Sequence, residues 1–403
     1  MAYDLLIKNG KIVDGSGAPA YVGDVVVDSG RIVSVGRKSK ESAAEVVDAD
    51  GRVVAPGFID PHTHVDPQLW WDPFALPLVL HGVTSVMTGN CAVTLAPCKP
   101  DDSDALASIF YRVEDVPLET LRTAVPWSWG SFDQYLRGLD GRLGINCAAL
   151  VGHCAVRYSV MGPASLERAA TDEEVRKIRE LVRESIRAGA IGFSTSQNVL
   201  HVGEGGVPIP SRWAEPEEVL ALAEVLGEER RGIIQTDGGT SIAQRADWVR
   251  DIGGPLAERT GRTVLAGNVL PGFAASEAVI DAITPFRERG VPIYAQLLPS
   301  RLDTFFTLGG GKHDVKCVSV VAEDRLSVTR GTTCRVPGSG DEGSDSAGIC
   351  GRRDLGFLPD RLGAHSDRQD HKRAEPSSGG PFAVRSGKRA GRSNNRRDLG
   401  CGG

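Results

Sequence analysis

The feature that most constrains the fold is a regular alternation of apolar strand, loop and helix between residues 57 and 300. Stretches whose apolar residues recur at helical spacing, most clearly at 171–188, 216–226 and 275–289, separate apolar segments of strand length. The seven candidate strands are 57–60, 83–87, 145–151, 190–194, 232–235, 263–266 and 291–295. Strands that alternate with helices form a parallel sheet, so we predict an α/β fold: an incomplete (β/α)8 TIM-like barrel of about seven units.

Residues 1–56 have a different pattern, in which short apolar and polar alternations are interrupted by turns at glycine. The turns are Asn9-Gly10, Asp14-Gly15 and Ser29-Gly30, which favour antiparallel pairing. So small a set of strands is not stable alone. We therefore predict a small N-terminal β-sandwich subdomain over 1–56 that packs on the barrel or on strands returning from the far end of the chain.

The pattern changes again near residue 311. Residues 312–403 have no sustained strand or helix period and are rich in Gly, Ser, Arg and Asp, which predicts a disordered tail. The same composition is typical of GC-rich codons translated out of frame. We therefore interpret the segment as frameshifted, with the eighth barrel unit missing or replaced, and a functional basic tail is the alternative. The predicted domains are 1–56, a barrel at 57–311 and the tail at 312–403.

Composition narrows the range of partners. With a net charge of -6 and a pI near 5.8, the chain lacks the basic clusters that neutralise phosphates, so we expect a small-molecule substrate and no nucleic acid. No apolar run approaches the ~18 residues of a membrane span, and no signal-peptide pattern follows Met1. We expect a soluble cytoplasmic protein without a membrane partner, in which scattered cysteines form no disulfide framework. The sequence does not indicate an oligomeric state.

Two histidines follow the first barrel strand. His62 and His64 lie one residue apart just after 57–60, and both point to one side because side chains alternate along an extended segment. They fall at the carboxyl end of a strand, where α/β barrels hold their chemistry. Neutral imidazole suits zinc, so we predict that both are zinc ligands. A pair of solvated or core histidines is the alternative.

Several segments together resemble one protein family. They are LIKNG at 6–10, APGFIDPHTH at 55–64, HGVTSVMTGNC at 81–91, LAP at 95–97 and GAIGFST at 189–195. These segments are similar to the amidohydrolase superfamily and, within it, to the N-acyl-D-amino-acid deacylases (D-aminoacylases). The likeness covers roughly residues 3–308, and its most specific part is the combination of His-x-His with Gly-Asn-Cys at the end of the next strand.

The resemblance implies an activity and a third metal ligand. The family's strand-two cysteine falls on Cys91, and a thiolate is a strong zinc ligand. A buried packing cysteine is the alternative at that position. The implied activity is metal-dependent hydrolysis of the linear amide of an N-acyl D-amino acid, with zinc as the cofactor.

The chain departs from the family at three strand ends. Relatives use histidines on strands five and six, where this chain has Gln235-Thr236-Asp237 and Ala266-Gly267-Asn268. We expect Asp237 to bind metal through oxygen or to act as the catalytic base, and Asn268 to bind substrate or to bind metal weakly. The family's strand-eight aspartate falls in the segment interpreted as lost. We therefore expect weak or absent activity in this chain.

Three further residues are candidates for substrate binding. His153 follows the third strand, and the guanidinium of Arg157 suits a forked contact with a carboxylate. Packing and a surface position are the respective alternatives. His201 lies in a glycine-rich loop after strand four, and it contacts substrate or completes the metal set if that loop folds inward.

Two other functions are weighed against the deacylase interpretation. A cyclic amide hydrolase of the dihydroorotase or hydantoinase type would resemble relatives that bridge two metals with a carbamylated lysine on strand four. The segment GFST at 192–195 contains no lysine. A non-catalytic truncated product is the other alternative.

Overall fold

The computed structural model describes residues 2–36, 42–114, 116–203, 206–238, 244–269 and 274–297. The first five strands form one sheet in the order β3-β2-β1-β4, with β5 paired to β1. They are β1 (Tyr3–Ile12), β2 (Tyr21–Asp28), β3 (Arg31–Gly36), β4 (Ala43–Asp48) and β5 (Val53–Val54). The described part of this subdomain is therefore a single sheet layer, whereas a β-sandwich requires two.

Strand direction in this sheet differs from the antiparallel prediction. β1 pairs antiparallel with β2, and β2 with β3, as the glycine turns indicate. β4 and β5, however, run parallel to β1. The prediction was wrong for these two strands because alternation marks which residues lie on one face and carries no information on strand direction.

Seven parallel strands form the second sheet, whose order follows the sequence from β6 at one end to β12 at the other. They are β6 (Phe58–Asp60), β7 (Val83–Thr88), β8 (Asn146–Gly152), β9 (Gly192–Ser196), β10 (Ile233–Asp237), β11 (Thr263–Val269) and β12 (Ile293–Leu297). Each predicted barrel strand is present within a few residues of its predicted position. The prediction of an incomplete TIM-like barrel is confirmed.

Helices connect the strands. They are α1 (Leu76–Leu80), α2 (Ser103–Glu114), α3 (Leu118–Ala124), α4 (Phe132–Leu139), α5 (His153–Met161), α6 (Asp172–Ala188), α7 (Pro216–Glu228), α8 (Arg245–Trp248), α9 (Gly254–Thr260) and α10 (Ala274–Glu288). The longest, α6, begins with a capping box, because the Thr171 hydroxyl accepts the Glu174 backbone N–H and the Glu174 carboxylate accepts that of Thr171. Its apolar stripe, which includes Ile178, Val182 and Ile186, is fully buried.

The core lies between this helical layer and the parallel sheet. Buried strand residues with no exposed surface include Val151, Phe193, Ile234, Val264 and Ile293. In the described part of the chain, no helix combines the length and apolarity needed to cross a membrane. Residues 298–311 and the predicted tail at 312–403 lie outside the described residues, so the domain boundary at 311 stays a prediction.

Candidate metal centre

The two histidines after β6 face the same space. Their ring centroids lie 5.3 Å apart in an edge-to-face arrangement. Thr63, between them, turns the other way and donates its hydroxyl to the Met87 carbonyl of β7 at 2.9 Å. This bond ties the segment to the neighbouring strand, so both imidazoles stay on one side, as the alternation rule requires.

Cys91 reaches the same space through an unusual backbone path. Gly89, Cys91 and Ala92 have φ values of 77°, 54° and 70°, in the left-handed region that non-glycine residues seldom adopt. A side chain at Gly89 would place its Cβ 2.4 Å from the Leu150 carbonyl oxygen, so this position requires glycine. The path brings the Cys91 Sγ to 3.3 Å from the His62 Nε2.

Side chains of β9 and β10 hold this segment, which we call the cysteine loop (Gly89–Ala92). The Gln235 Oε1 accepts the Cys91 backbone N–H at 2.8 Å, and the Ser194 hydroxyl accepts that of Ala92 at 3.2 Å. The same hydroxyl donates to the Gly89 carbonyl. Ser194 and Gln235 are both fully buried, so these hydrogen bonds hold the cysteine loop in its strained backbone conformation.

Two sets of potential ligand atoms meet at this point. Within each set, the ligand atoms lie within 4.8 Å of one another. One set is His62, His64 and Cys91; the other is Cys91, His201 and Asp237. The structure therefore brings together five of the residues selected from the sequence, with Cys91 common to both sets.

The loop after β9 folds inward and carries His201 to the strand ends. The Ser196 hydroxyl lies 2.8 Å from the His201 Nδ1, and the His201 Nε2 lies 3.9 Å from the Asp237 Oδ2. Asp237 is held on both oxygens, because Asn198 donates to Oδ2 at 2.7 Å and the Arg245 Nη2 lies 2.9 Å from Oδ1. Sequence reasoning missed Arg245 and Asn198, which carry no motif.

Burial controls the protonation of the ligand atoms. It lowers the pKa of His62 and holds that of His64 well below its usual range, where the charges of His62 and His201 add to the effect. Burial, reinforced by the charge of Asp237, raises the pKa of the Cys91 thiol well above its usual range. Neutral imidazoles can bind a cation directly, whereas the thiol must release its proton when metal binds.

Outer partners of the histidines were also missed. The His64 Nδ1 lies 3.2 Å from the Glu114 Oε1, and the His62 Nδ1 lies 2.8 Å from the Gln296 Oε1 of β12. Burial raises the pKa of Glu114 to about 8, with a contribution from the charge of Asp66, and burial also raises that of Asp66 to about 8. Such partners orient metal-binding imidazoles.

His153 and Arg157 do not join the cluster. His153 is the first residue of α5, and its Nδ1 and Nε2 each lie 2.9 Å from a partner, Thr195 Oγ1 and Glu218 Oε1. Arg157 pairs with the other oxygen of Glu218. Both side chains are fully buried against α7. In the described structure both side chains are thus engaged by protein groups, and their expected contact with substrate stays a prediction.

Asn268 belongs to β11, where its backbone pairs in register with Gln296. Its side chain lies outside what the structure describes, and its role in binding substrate or metal stays a prediction.

Comparisons with known proteins identify the family and several relatives of the chain. A family model described as the amidohydrolase family matches residues 45–305. The D-aminoacylase of Alcaligenes xylosoxydans xylosoxydans is 36% identical over 225 residues, covering 56% of this chain and 42% of that protein. The N-acyl-D-aspartate deacylase of the same organism is 39% identical over 247 residues, covering 61% of this chain and 44% of that protein. The chain thus spans less than half the length of these two relatives.

A solved structure shares the fold. It is the crystal structure of N-acyl-D-glutamate deacylase from Bordetella bronchiseptica, complexed with zinc and a phosphonate inhibitor that mimics the tetrahedral intermediate. The superposition has a TM-score of 0.60 at 30% sequence identity, and covers 74% of this chain and 59% of that chain.

Proposed function

The chain belongs to the amidohydrolase family, and on that premise we propose that it is a zinc-dependent hydrolase of the linear amide in N-acyl D-amino acids. The family model covers more than half of the chain, residues 45–305. We further infer that residues 57–311 form the hydrolase domain. The observation that carries the proposal is the convergence of His62, His64 and Cys91 within 4.8 Å.

The chemistry of these three residues fits zinc. Zinc accepts imidazole nitrogen and thiolate sulfur together, in tetrahedral sites with three protein ligands and one open position. A hard cation such as magnesium prefers oxygen ligands and suits this set poorly. When bound, zinc polarises a carbonyl and makes water a nucleophile near neutral pH.

The second set supplies groups for proton transfer and for binding. Asp237 lies at the end of β10 with its carboxylate held by Arg245 and Asn198, so it offers an oxygen atom in a defined position. We assign it the role of receiving the proton of the attacking water and passing it to the leaving amine. His201, beside it, can serve as a further ligand or as a hydrogen-bonding group for substrate.

Metal retention is the first test. The full-length protein is loaded with zinc, dialysed, and its metal content measured. We expect zinc to remain bound to the wild type and to Cys98→Ala, a buried cysteine outside the cluster, and to be lost from Cys91→Ala. A wild-type protein that retains no zinc contradicts the proposal.

Activity is the second test. Release of free amino acid is measured from N-acetyl derivatives of D-aspartate, D-glutamate and a neutral D-amino acid, with the L series as the control. Hydrolysis confined to the D series supports the proposal. Ring opening of a hydantoin would favour the cyclic amide alternative, and bound zinc without turnover would favour the non-catalytic one.

A further inference from the structure

We propose that Gln296 of β12 is a positioning residue that fixes the ring tautomer of His62, with hydrogen on Nδ1 and a bare Nε2 facing Cys91. The tautomer itself follows from hydrogen bonding alone. Only its consequence for metal affinity rests on the proposed function.

The orientation of the Gln296 amide is determined by a backbone group. Its Nε2 donates to the Pro61 carbonyl at 3.1 Å, and a carbonyl oxygen can only accept. The NH2 end of the amide therefore faces Pro61. The Oε1 end consequently faces the His62 Nδ1, at 2.8 Å.

The amide in turn determines the ring. The Oε1 of glutamine carries no hydrogen, so the hydrogen in this bond belongs to the His62 Nδ1. In the neutral imidazole the other nitrogen is then an acceptor. That nitrogen, Nε2, lies 3.3 Å from the Cys91 Sγ, on the side where the ligand atoms converge.

The position of Gln296 suits this role. Gln296 is 7% exposed, so water competes little for its hydrogen bond with the His62 Nδ1. It contacts both Pro61 and His62 although it lies 234 residues along the chain from His62. A side chain of β12, the last described barrel strand, thus positions His62, which follows the first barrel strand, β6.

Two substitutions distinguish the role of Gln296 as a hydrogen-bond acceptor from a role in packing. Gln296→Glu keeps an oxygen acceptor for the His62 Nδ1, whereas Gln296→Met has a similar length and no such acceptor. Gln134→Met is the control. The Oε1 of Gln134 likewise accepts hydrogen bonds, in its case from the backbone N–H groups of Gly130 and Ser131, but Gln134 lies in the first turn of α4.

Ring nitrogen signals report the tautomer directly. Full-length protein labelled with 15N-histidine is studied metal-free by long-range 1H–15N NMR, with His62 assigned by comparison with His62→Ala. We expect the Nδ1–H tautomer in the wild type, in Gln296→Glu and in Gln134→Met, and a mixture in Gln296→Met. An Nε2–H signal for His62 in the wild type alone overturns the inference, even if Gln296→Met does not fold.

Zinc affinity, measured by competition with a chromophoric chelator, tests the consequence. We expect the Kd of Gln296→Met to rise about 10- to 100-fold, as for other outer partners of metal-binding histidines, while Gln296→Glu and Gln134→Met bind as the wild type or tighter. Equal weakening in Gln296→Glu and Gln296→Met would assign Gln296 a packing role and overturn the inference. If the wild type shows the Nδ1–H tautomer but binds no zinc, the tautomer stands and the proposed function fails.

Discussion

Replacing Glu218 with glutamine is expected to destabilise the protein by about 3 kcal/mol, because it leaves the charge of Arg157 buried without a counter-charge. One carboxylate oxygen of Glu218 accepts the His153 Nε2–H at 2.9 Å, and the other pairs with Arg157. The side chains of His153 and Arg157 have no exposed surface, and that of Glu218 has 3%. Water therefore cannot replace the lost partner.

The expected loss of stability in Glu218→Gln depends on which hydrogen bonds of His153 and Arg157 remain. Removing one member of a buried ion pair costs about 3–5 kcal/mol. The low end applies here, because the glutamine oxygen can still accept from His153 and the Arg157 Nη2 still donates to the Arg168 carbonyl at 2.9 Å. At about 2 °C per kcal/mol for a chain of this size, the expected fall in Tm is about 6 °C.

Urea and thermal unfolding of the full-length protein measure the effect. The matched control is Glu228→Gln, on the same helix, since Glu228 pairs with Arg179 and Arg183 at the surface and its side chain is 47% exposed. We expect a loss of about 0–1 kcal/mol there. The double substitution Arg157→Met with Glu218→Gln removes both charges and should recover most of the lost stability. A loss below about 1 kcal/mol in Glu218→Gln, or no recovery in the double variant, would refute the reasoning.

Three further predictions concern stability and the cysteine loop. Burial lowers the pKa of His153 from 6.5, so the unfolded chain binds more protons at this residue and the folded protein loses stability as the pH falls through about 6.5. In thermal melts, the Tm of the wild type should therefore fall relative to that of His153→Gln between pH 7.5 and pH 5.5. A difference in Tm that does not change with pH would contradict the assignment. Gly89→Ala should lower both stability and zinc affinity, because the added Cβ would lie 2.4 Å from the Leu150 carbonyl oxygen. The control is Gly141→Ala, at a φ of 69° with no atom within 4 Å of the added Cβ. It should cost only about 1 kcal/mol and leave zinc binding unchanged. Ser194→Ala leaves a buried N–H and a buried carbonyl of the cysteine loop without their partner, so it should cost about 2 kcal/mol and weaken zinc binding. Ser185→Ala, whose hydroxyl donates to the Leu181 carbonyl of its own helix, should leave zinc affinity unchanged.

The barrel was predictable from sequence because its signals are local. Each predicted strand is a short, mostly apolar segment, and each clear helix, such as α6, repeats its apolar residues at helical spacing. Parallel order then follows from the alternation of the two. The N-terminal sheet was only partly predictable, since β4 pairs with β1 across more than thirty residues and no local pattern specifies the direction of such a pairing.

The contrast between His64 and His153 shows when a position just after a strand predicts a site residue. His62 and His64 follow β6 in a segment that enters no helix, and both rings lie on one side of it. His153 also follows a strand directly, but it is the first residue of α5. The helical backbone directs its side chain towards Glu218 on α7, so a position just after a strand does not predict a site residue where a helix begins at once.

The residues that support the candidate metal centre have one property that the sequence does display. Ser194 and Gln235 are polar residues at the centre of short strands, directly after the fully buried Phe193 and Ile234, and both are fully buried themselves. A buried polar group without a partner costs free energy, so a polar residue within a core strand implies a specific hydrogen bond. Here those bonds go to the cysteine loop, 144 residues from Gln235 in the case of the Cys91 N–H. The residue type thus predicts that a partner exists, while the identity of the partner depends on which strand ends the parallel sheet brings together.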